Sequence, residues 1–201
     1  MKRLCLILSL LIAVGCSSIT FDPPVPFKEG GSKMIIIPFR QGDHIHHFES
    51  PKGREIAERM AALINKNARK GTYKIVHISA ISKEMMEELR NSRPDKIDWA
   101  KVGRAAEADL VFSGNITKFE VQKPGDVNLF AGTCKVNVFV IGSEDNSRLY
   151  DQSHMVRHPE GKFELPFDID SDASKMRHQL ILKTAYTCAK PFYPGVEKAE
   201  N

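Results

Sequence analysis

Met34-Ile35-Ile36-Ile37-Pro38-Phe39 decides the fold. Four consecutive apolar residues closed by a proline do not alternate, so they suit a strand buried on both faces, as at the centre of an α/β sheet. Pro38 can end such a strand where no ladder donor is needed. Immediately downstream, within residues 53–70, Ile56, Met60, Leu63 and Ile64 recur at helical spacing with Glu55, Arg59, Lys66 and Arg69 largely opposite. That pattern predicts an amphipathic helix, with Gly71 as its stop signal. Tyr73 to Ile78 reads as a second strand. A β-α-β unit of this kind makes its two strands parallel through a right-handed crossover.

Farther along, Ser82 to Leu89 reads as a short helix with Met85, Met86 and Leu89 apolar, ended by Asn91-Ser92-Arg93-Pro94. Asp95 or Asp98 caps the next helix, which buries Trp99, Val102 and Ala106. The period then changes to two. Leu110, Phe112, Gly114 and Ile116 alternate with Val111, Ser113 and Asn115, and Gly114 marks a bulge or a close backbone approach. Lys123-Pro124-Gly125-Asp126 is a turn signal, and Cys134, Val136, Val138 and Val140 set a second long strand. Glu144 to Ser147 turns into a third, Arg148 to Val156, so residues 108–157 predict an antiparallel meander. After an irregular stretch, Ser171 is the expected cap of a last helix reaching about Lys190. There Leu180, Thr184 and Cys188 share a face, and Pro191 and Pro194 close the element. The expectation is one α/β (α+β) domain, a mixed sheet of about five strands in the order β-α-β-αα-β-β-β-α with helices packed on it.

Upstream, Met1-Lys2-Arg3 is basic, Leu4 to Val14 is almost wholly apolar, and Ala13-Val14-Gly15-Cys16 is a small-residue site. That order is a secretory signal with an apolar region shorter than the ~20 residues of a membrane span. Its end resembles a bacterial lipoprotein signal, which implies cleavage after Gly15 and lipid, including palmitate, on Cys16. Ala13 departs from the usual Leu or Val of that pattern. Ser17 is not the aspartate of an inner-membrane retention signal, so the resemblance favours an outer-membrane anchor facing the periplasm. The expected division is signal peptide 1–15, lipidated Cys and tether 16–32, α/β envelope domain 33–195 and tail 196–201. Loss of residues 1–15 removes Lys2 and Arg3 and no acid, so a formal charge of +4 becomes +2. Near-balance gives no case for nucleic acid as a partner.

Several words resemble an α/β domain of envelope lipoproteins, shared by the curli-secretion channel lipoprotein, the penicillin-binding-protein activator lipoproteins and the Tol translocation protein's N-terminal domain. They are Ile35-Ile36-Ile37-Pro38-Phe39, Ile56-Ala57 with Leu63, Tyr73-Lys74-Ile75-Val76, and above all Val102-Gly103-Arg104-Ala105-Ala106-Glu107-Ala108-Asp109-Leu110-Val111 followed by Gly114-Asn115-Ile116. The likeness covers about residues 33–190. These are words of a scaffold: Ala105 and Ala106 allow close helix packing, and Asp109 suits the helix-to-strand turn. No long hairpin with lipid-facing alternation lies beyond the meander, which argues against a channel.

Asp43-His44-Ile45-His46-His47, with Glu49 nearby, is the sharpest chemical candidate, since imidazoles and carboxylates bind zinc, copper or nickel. It lacks the H-E-x-x-H spacing and a helix to fix it, so Asp43, His44, His46 and His47 are weak metal ligands and no cofactor is expected. The loop does follow the first strand's carboxyl end, where open α/β sheets place ligands, so His44, His46 and His47 are candidate binding residues. His154 and His158, four apart in a strand and therefore ~13 Å apart, are too far for one metal and read as surface residues. Cys134 and Cys188 are free to pair in an exported chain, but strand and helix settings favour two buried thiols. No nucleophile elbow or phosphate loop occurs. The sequence thus predicts a non-enzymatic, lipid-anchored module that binds an envelope protein or copies of itself. An auxiliary role in lipid or solute transport is the alternative, and metal binding at residues 43–49 a weaker one.

Overall fold

The computed structural model describes residues 22–42, 50–122, 130–159 and 172–193. The apolar run forms β1 (Ser32–Ile36) and is followed by the two-residue strand β2 (Arg40–Gln41). Next come helix α1 (Pro51–Asn67), strand β3 (Tyr73–Val76), and helices α2 (Lys83–Asn91) and α3 (Trp99–Ala105). The meander is β4 (Leu110–Gln122), β5 (Ala131–Gly142) and β6 (Arg148–His158), and α4 (Ala173–Ala189) follows it. The strands lie in the order β3-β1-β4-β5-β6, with β2 beside β4. β1 is parallel to both neighbours, while β4, β5 and β6 run antiparallel. This is the expected single mixed α/β domain.

Both faces of β1 are buried because both are covered. Met34, Ile36, Phe112, Val136, Val138 and Val140 join Ile56, Met60, Ile64 from α1 and Leu180, Ile181, Ala185 from α4 in one cluster. Ile35, Ile37, Val111 and Ile141 meet Leu89, Trp99, Val102 and Ala106 from α2 and α3 in the other. Beyond α3 the second face opens to solvent, so Lys135 and Asn137 on β5 are exposed while Val136 and Val138 are not. That is why β5 alternates cleanly and β1 does not.

Caps set the helix boundaries. Ser50 accepts the N–H of Gly53 at 2.9 Å, so α1 begins at Pro51 rather than Gly53. It ends at Asn67, short of Lys70, where Ala68 donates to Ile64. Gly71, at φ +86°, turns the chain into β3. Asp98 caps α3 through Lys101 N–H, and Asp172 caps α4 through Ser174 N–H. Ser171, Pro194, the 123–126 turn and the tail lie outside the described residues. Gly114 is a close approach: a Cβ there would lie 3.1 Å from the Phe39 ring and 2.8 Å from the Asn137 carbonyl oxygen. The bulge falls two to four residues later, between Ile116 and Lys118.

Ala105 is exposed, and the close helix contact is made at Gly103, where a Cβ would come within 1.8 Å of Ser143 Oγ. Asp109 reaches past its own turn: it accepts the N–H of Lys33 at 2.8 Å and the ammonium of Lys28 at 2.6 Å, fastening the entry to β1. His154 is half-buried rather than a surface residue, because α4 lies over that face of β6. Its Nε2 is enclosed with no hydrogen-bond partner among the described residues, and burial pushes the imidazole below its ordinary value.

The lead-in to β1, read from sequence as part of a tether, is docked. Val25 is fully buried and its carbonyl accepts the Tyr73 hydroxyl. Phe27 meets the Tyr73 ring edge-on at 6.0 Å. These contacts lie at the amino ends of β1, β3 and β4.

Candidate functional site

β1 and β3 are neighbours, yet the chain leaves β1 for α1 on one face of the sheet and leaves β3 for α2 on the other. Such divergence opens a crevice beyond the strands' carboxyl ends, the usual ligand position in open α/β sheets. Here it is a groove of about 860 Å³. Ile36 and Pro38 come from the end of β1, Ile75, Val76 and Ile78 from β3 and its exit, and Ala57 and Ala61 from α1. Met86 closes the α2 side. The size lies within the ~300–1,000 Å³ of ligand pockets. The width has a sequence cause: α1 presents Ala57 and Ala61 toward the strands, where larger side chains would fill the space.

The rim carries both signs of charge, with Arg54 and Glu58 on α1 facing Lys83, Glu87 and Arg90 on α2. His77 and Ser79 stand at the β3 exit, with Nδ1 2.7 Å from the serine hydroxyl. The same nitrogen accepts the main-chain N–H of Ser79 at 3.2 Å, so the ring closes the turn. An apolar floor between charged walls has the chemistry that suits an apolar side chain or acyl segment with polar ends.

A second depression, of about 960 Å³ and more open, lies at the opposite end of the sheet among Lys28, Asp109, Glu144 and Leu149. A small cleft of about 200 Å³ on the open face of the meander is bordered by Arg40, Ser113, Asn115 and Phe139. Arg40 is 4 % exposed and donates to the carbonyls of Leu89 and Ser92 at 2.8 and 2.9 Å, tying β2 to the end of α2. Burial pushes its guanidinium down from its ordinary value.

Cys16, Asp43, His44, His46 and His47 lie outside the described residues. Only the loop's two ends are placed: Gly42, whose N–H donates to Ile116 at 3.0 Å, and Ser50, the cap of α1. Among the described residues no three His, Cys, Asp or Glu side chains gather as a metal-binding group. Cys134 and Cys188 are both buried free thiols. None of the described helices is long and apolar enough to cross a membrane. The groove residues escaped sequence reasoning because each belongs to an ordinary helix or strand pattern. The one available signal was the order of elements, which places a helix on each face of the sheet after β1 and β3.

No protein-family model matches the sequence, and no curated protein does. The chain is similar to several solved structures. The lipoprotein GNA1162 from Neisseria meningitidis is 13% identical, with 79% of this chain and 99% of that chain covered at a TM-score of 0.49. A putative lipoprotein from Caulobacter crescentus is 10% identical, covering 78% of this chain and 86% of that chain at a TM-score of 0.42. The PelC dodecamer from Paraburkholderia phytofirmans is 13% identical over 85% of this chain and 94% of that chain, at a TM-score of 0.47.

Proposed function

We propose that this chain is a lipid-anchored protein of the bacterial envelope, attached through Cys16 to the outer membrane on its periplasmic side, whose α/β domain binds a protein partner without catalysing a reaction. The observation that carries the binding role is the groove between α1 and α2. Its floor of Ile36, Ile75, Val76, Ile78 and Met86 is apolar and its rim is charged, the composition of a recognition site. β3 is the sheet's outer strand on that side, so an extended segment entering the groove finds main-chain donors and acceptors as well as apolar pockets. The loop of His44, His46 and His47 with Asp43 leaves at Gly42 and returns at Ser50, four residues before Arg54 of the rim. It is proposed as an accessory contact.

Val25 is docked, so at most the eight residues 17–24 separate Cys16 from the docked lead-in, and eight residues span at most about 26 Å. The docked end of the domain therefore lies close to the anchoring membrane, with the groove at the far end of the strands.

The test places a photoreactive side chain at Ile78 or Met86 in the full chain in its native membrane, with Lys135 on the open face as control. Capture of one protein from both groove positions and not from the control is the expected result; equal labelling from all three overturns the assignment. Cys16→Ser should release the protein from the membrane fraction, and continued attachment would refute the anchor. The apolar floor also favours the transport reading, in which the occupant is an acyl chain. Lipid rather than protein adducts at Ile78 and Met86 would establish that alternative.

A further inference from the structure

We infer that two copies of this chain join edge to edge through β6, antiparallel about a two-fold axis at His154, into one continuous sheet. The inference deepens the binding reading by naming a second copy as one partner, at a surface separate from the groove. β6 is the outermost strand of the meander, and among the described residues nothing pairs with its free edge. Edge strands of single-copy proteins are usually kept short or interrupted by proline, bulges or inward charges. This one runs for 11 residues. Its interruptions fall only at the ends. Val140 pairs with Tyr150 but Ile141 with Arg148, leaving Leu149 bulged, and Pro159 follows the last residue.

The uninterrupted stretch is therefore Tyr150 to His158, whose midpoint is His154. A two-fold axis between side-by-side antiparallel strands is normal to the sheet, so only residues on the same face can stand opposite each other. Centred on His154, that pairing uses the whole stretch and sets Asp151 opposite Arg157 twice and Ser153 opposite Met155 twice on the open face. On the α4 face, Tyr150 faces His158 and Gln152 faces Val156. Moving the centre one residue toward the amino end sets Asp151 against Met155 and Arg157 against Leu149; no register but the first joins the two charges. Both are exposed, and among the described residues Asp151 pairs with Arg148. Met155, 56 % exposed, is an apolar residue on the edge that this pairing covers. The length of regular edge and the charge pattern thus select the same axis independently.

The test uses the full chain in detergent, with mass measured by light scattering at tens of micromolar. The wild type is expected as a dimer, Asp151→Arg and Arg157→Asp should each weaken it at least tenfold, and the double exchange Asp151→Arg/Arg157→Asp should restore it. Circular dichroism and melting curves matching wild type show that the single variants fold. Under mild oxidation His154→Cys should crosslink to its own copy far more than Gln152→Cys or Ser153→Cys, with wild type as the blank. A monomeric wild type, or a dimer indifferent to both single exchanges, overturns the inference. Photo-capture at Ile78 persisting in such a monomer would leave the groove reading standing, so the two can fail separately.

Discussion

Replacing Gly103 by alanine tests how α3 is seated. The added Cβ would lie 1.8 Å from Ser143 Oγ, 2.6 Å from Ser143 Cβ and 2.9 Å from Val111 Cγ2. The Ser143 Oγ can rotate away but the Cβ cannot, since the main-chain N–H of Ser143 donates to Asp109 at 2.9 Å and its carbonyl accepts Arg104 at 3.1 Å. Overpacking of this kind costs about 1–3 kcal/mol, and contacts this short against a fixed backbone belong at the upper end. Alanine in a helix recovers about 1 kcal/mol relative to glycine. The expected net loss is about 2 kcal/mol, or about 4–8 °C in Tm for a chain of this size. Ser143→Gly removes the two nearest atoms, and the lost hydroxyl has no hydrogen-bond partner among the described residues. In Gly103→Ala/Ser143→Gly most of the clash should therefore vanish, giving a coupling of about 1–2 kcal/mol. Urea unfolding followed by fluorescence of Trp99, the sole tryptophan and part of the same helix, measures all four proteins. A Gly103→Ala protein within about 0.5 kcal/mol of wild type, or strictly additive single variants, would refute the packing argument.

Two other outcomes follow from buried and paired groups. The Lys28 ammonium and the Lys33 N–H hold the Asp109 carboxyl below its ordinary value of 3.8, so its contribution is complete above that value and is lost as pH falls through the folded one. Asp109→Asn should cost about 1 kcal/mol at neutral pH after solvent screening and flatten the acid limb below about pH 4, and an unchanged stability–pH curve would remove this fastening role. Burial pushes the Cys134 and Cys188 thiols up, so neither should react with a disulfide reagent at pH 8 until the protein is unfolded in urea; rapid modification of either in the native state contradicts the packing.

What could be read from sequence was whatever depends on one element's own period. Ile35 to Ile37 announced a strand covered on both sides, and Cys134 to Val140 one covered on a single side, because exposure is written into the alternation. Arg40 was illegible: its burial depends on carbonyls contributed by Leu89 and Ser92, 49 and 52 residues away. His154 was read as a surface residue, because nothing in its own strand's pattern shows that α4 would cover it. The groove was hidden for the same reason. Ile36, Ala57, Ile75 and Met86 each fit a core pattern alone, and only the divergence of α1 and α2 leaves a space among them. The lead-in looked like a linker by composition, since nothing local distinguishes Val25 in a proline-rich stretch from an exposed valine.

The docked lead-in and the groove lie at opposite ends of the same parallel strands, and that arrangement has a mechanical meaning. A chain held upstream of Val25 and gripped at Ile78 or Met86 would be loaded along its strands, not across them. β1, at the middle of that path, has a parallel partner on each side, so the two ladders share the load in shear instead of parting one bond at a time. Lys28 with Asp109, and Val25 with Tyr73, fix the point where tension enters. Under the proposed function, the domain is a link in tension between its anchor and its partner.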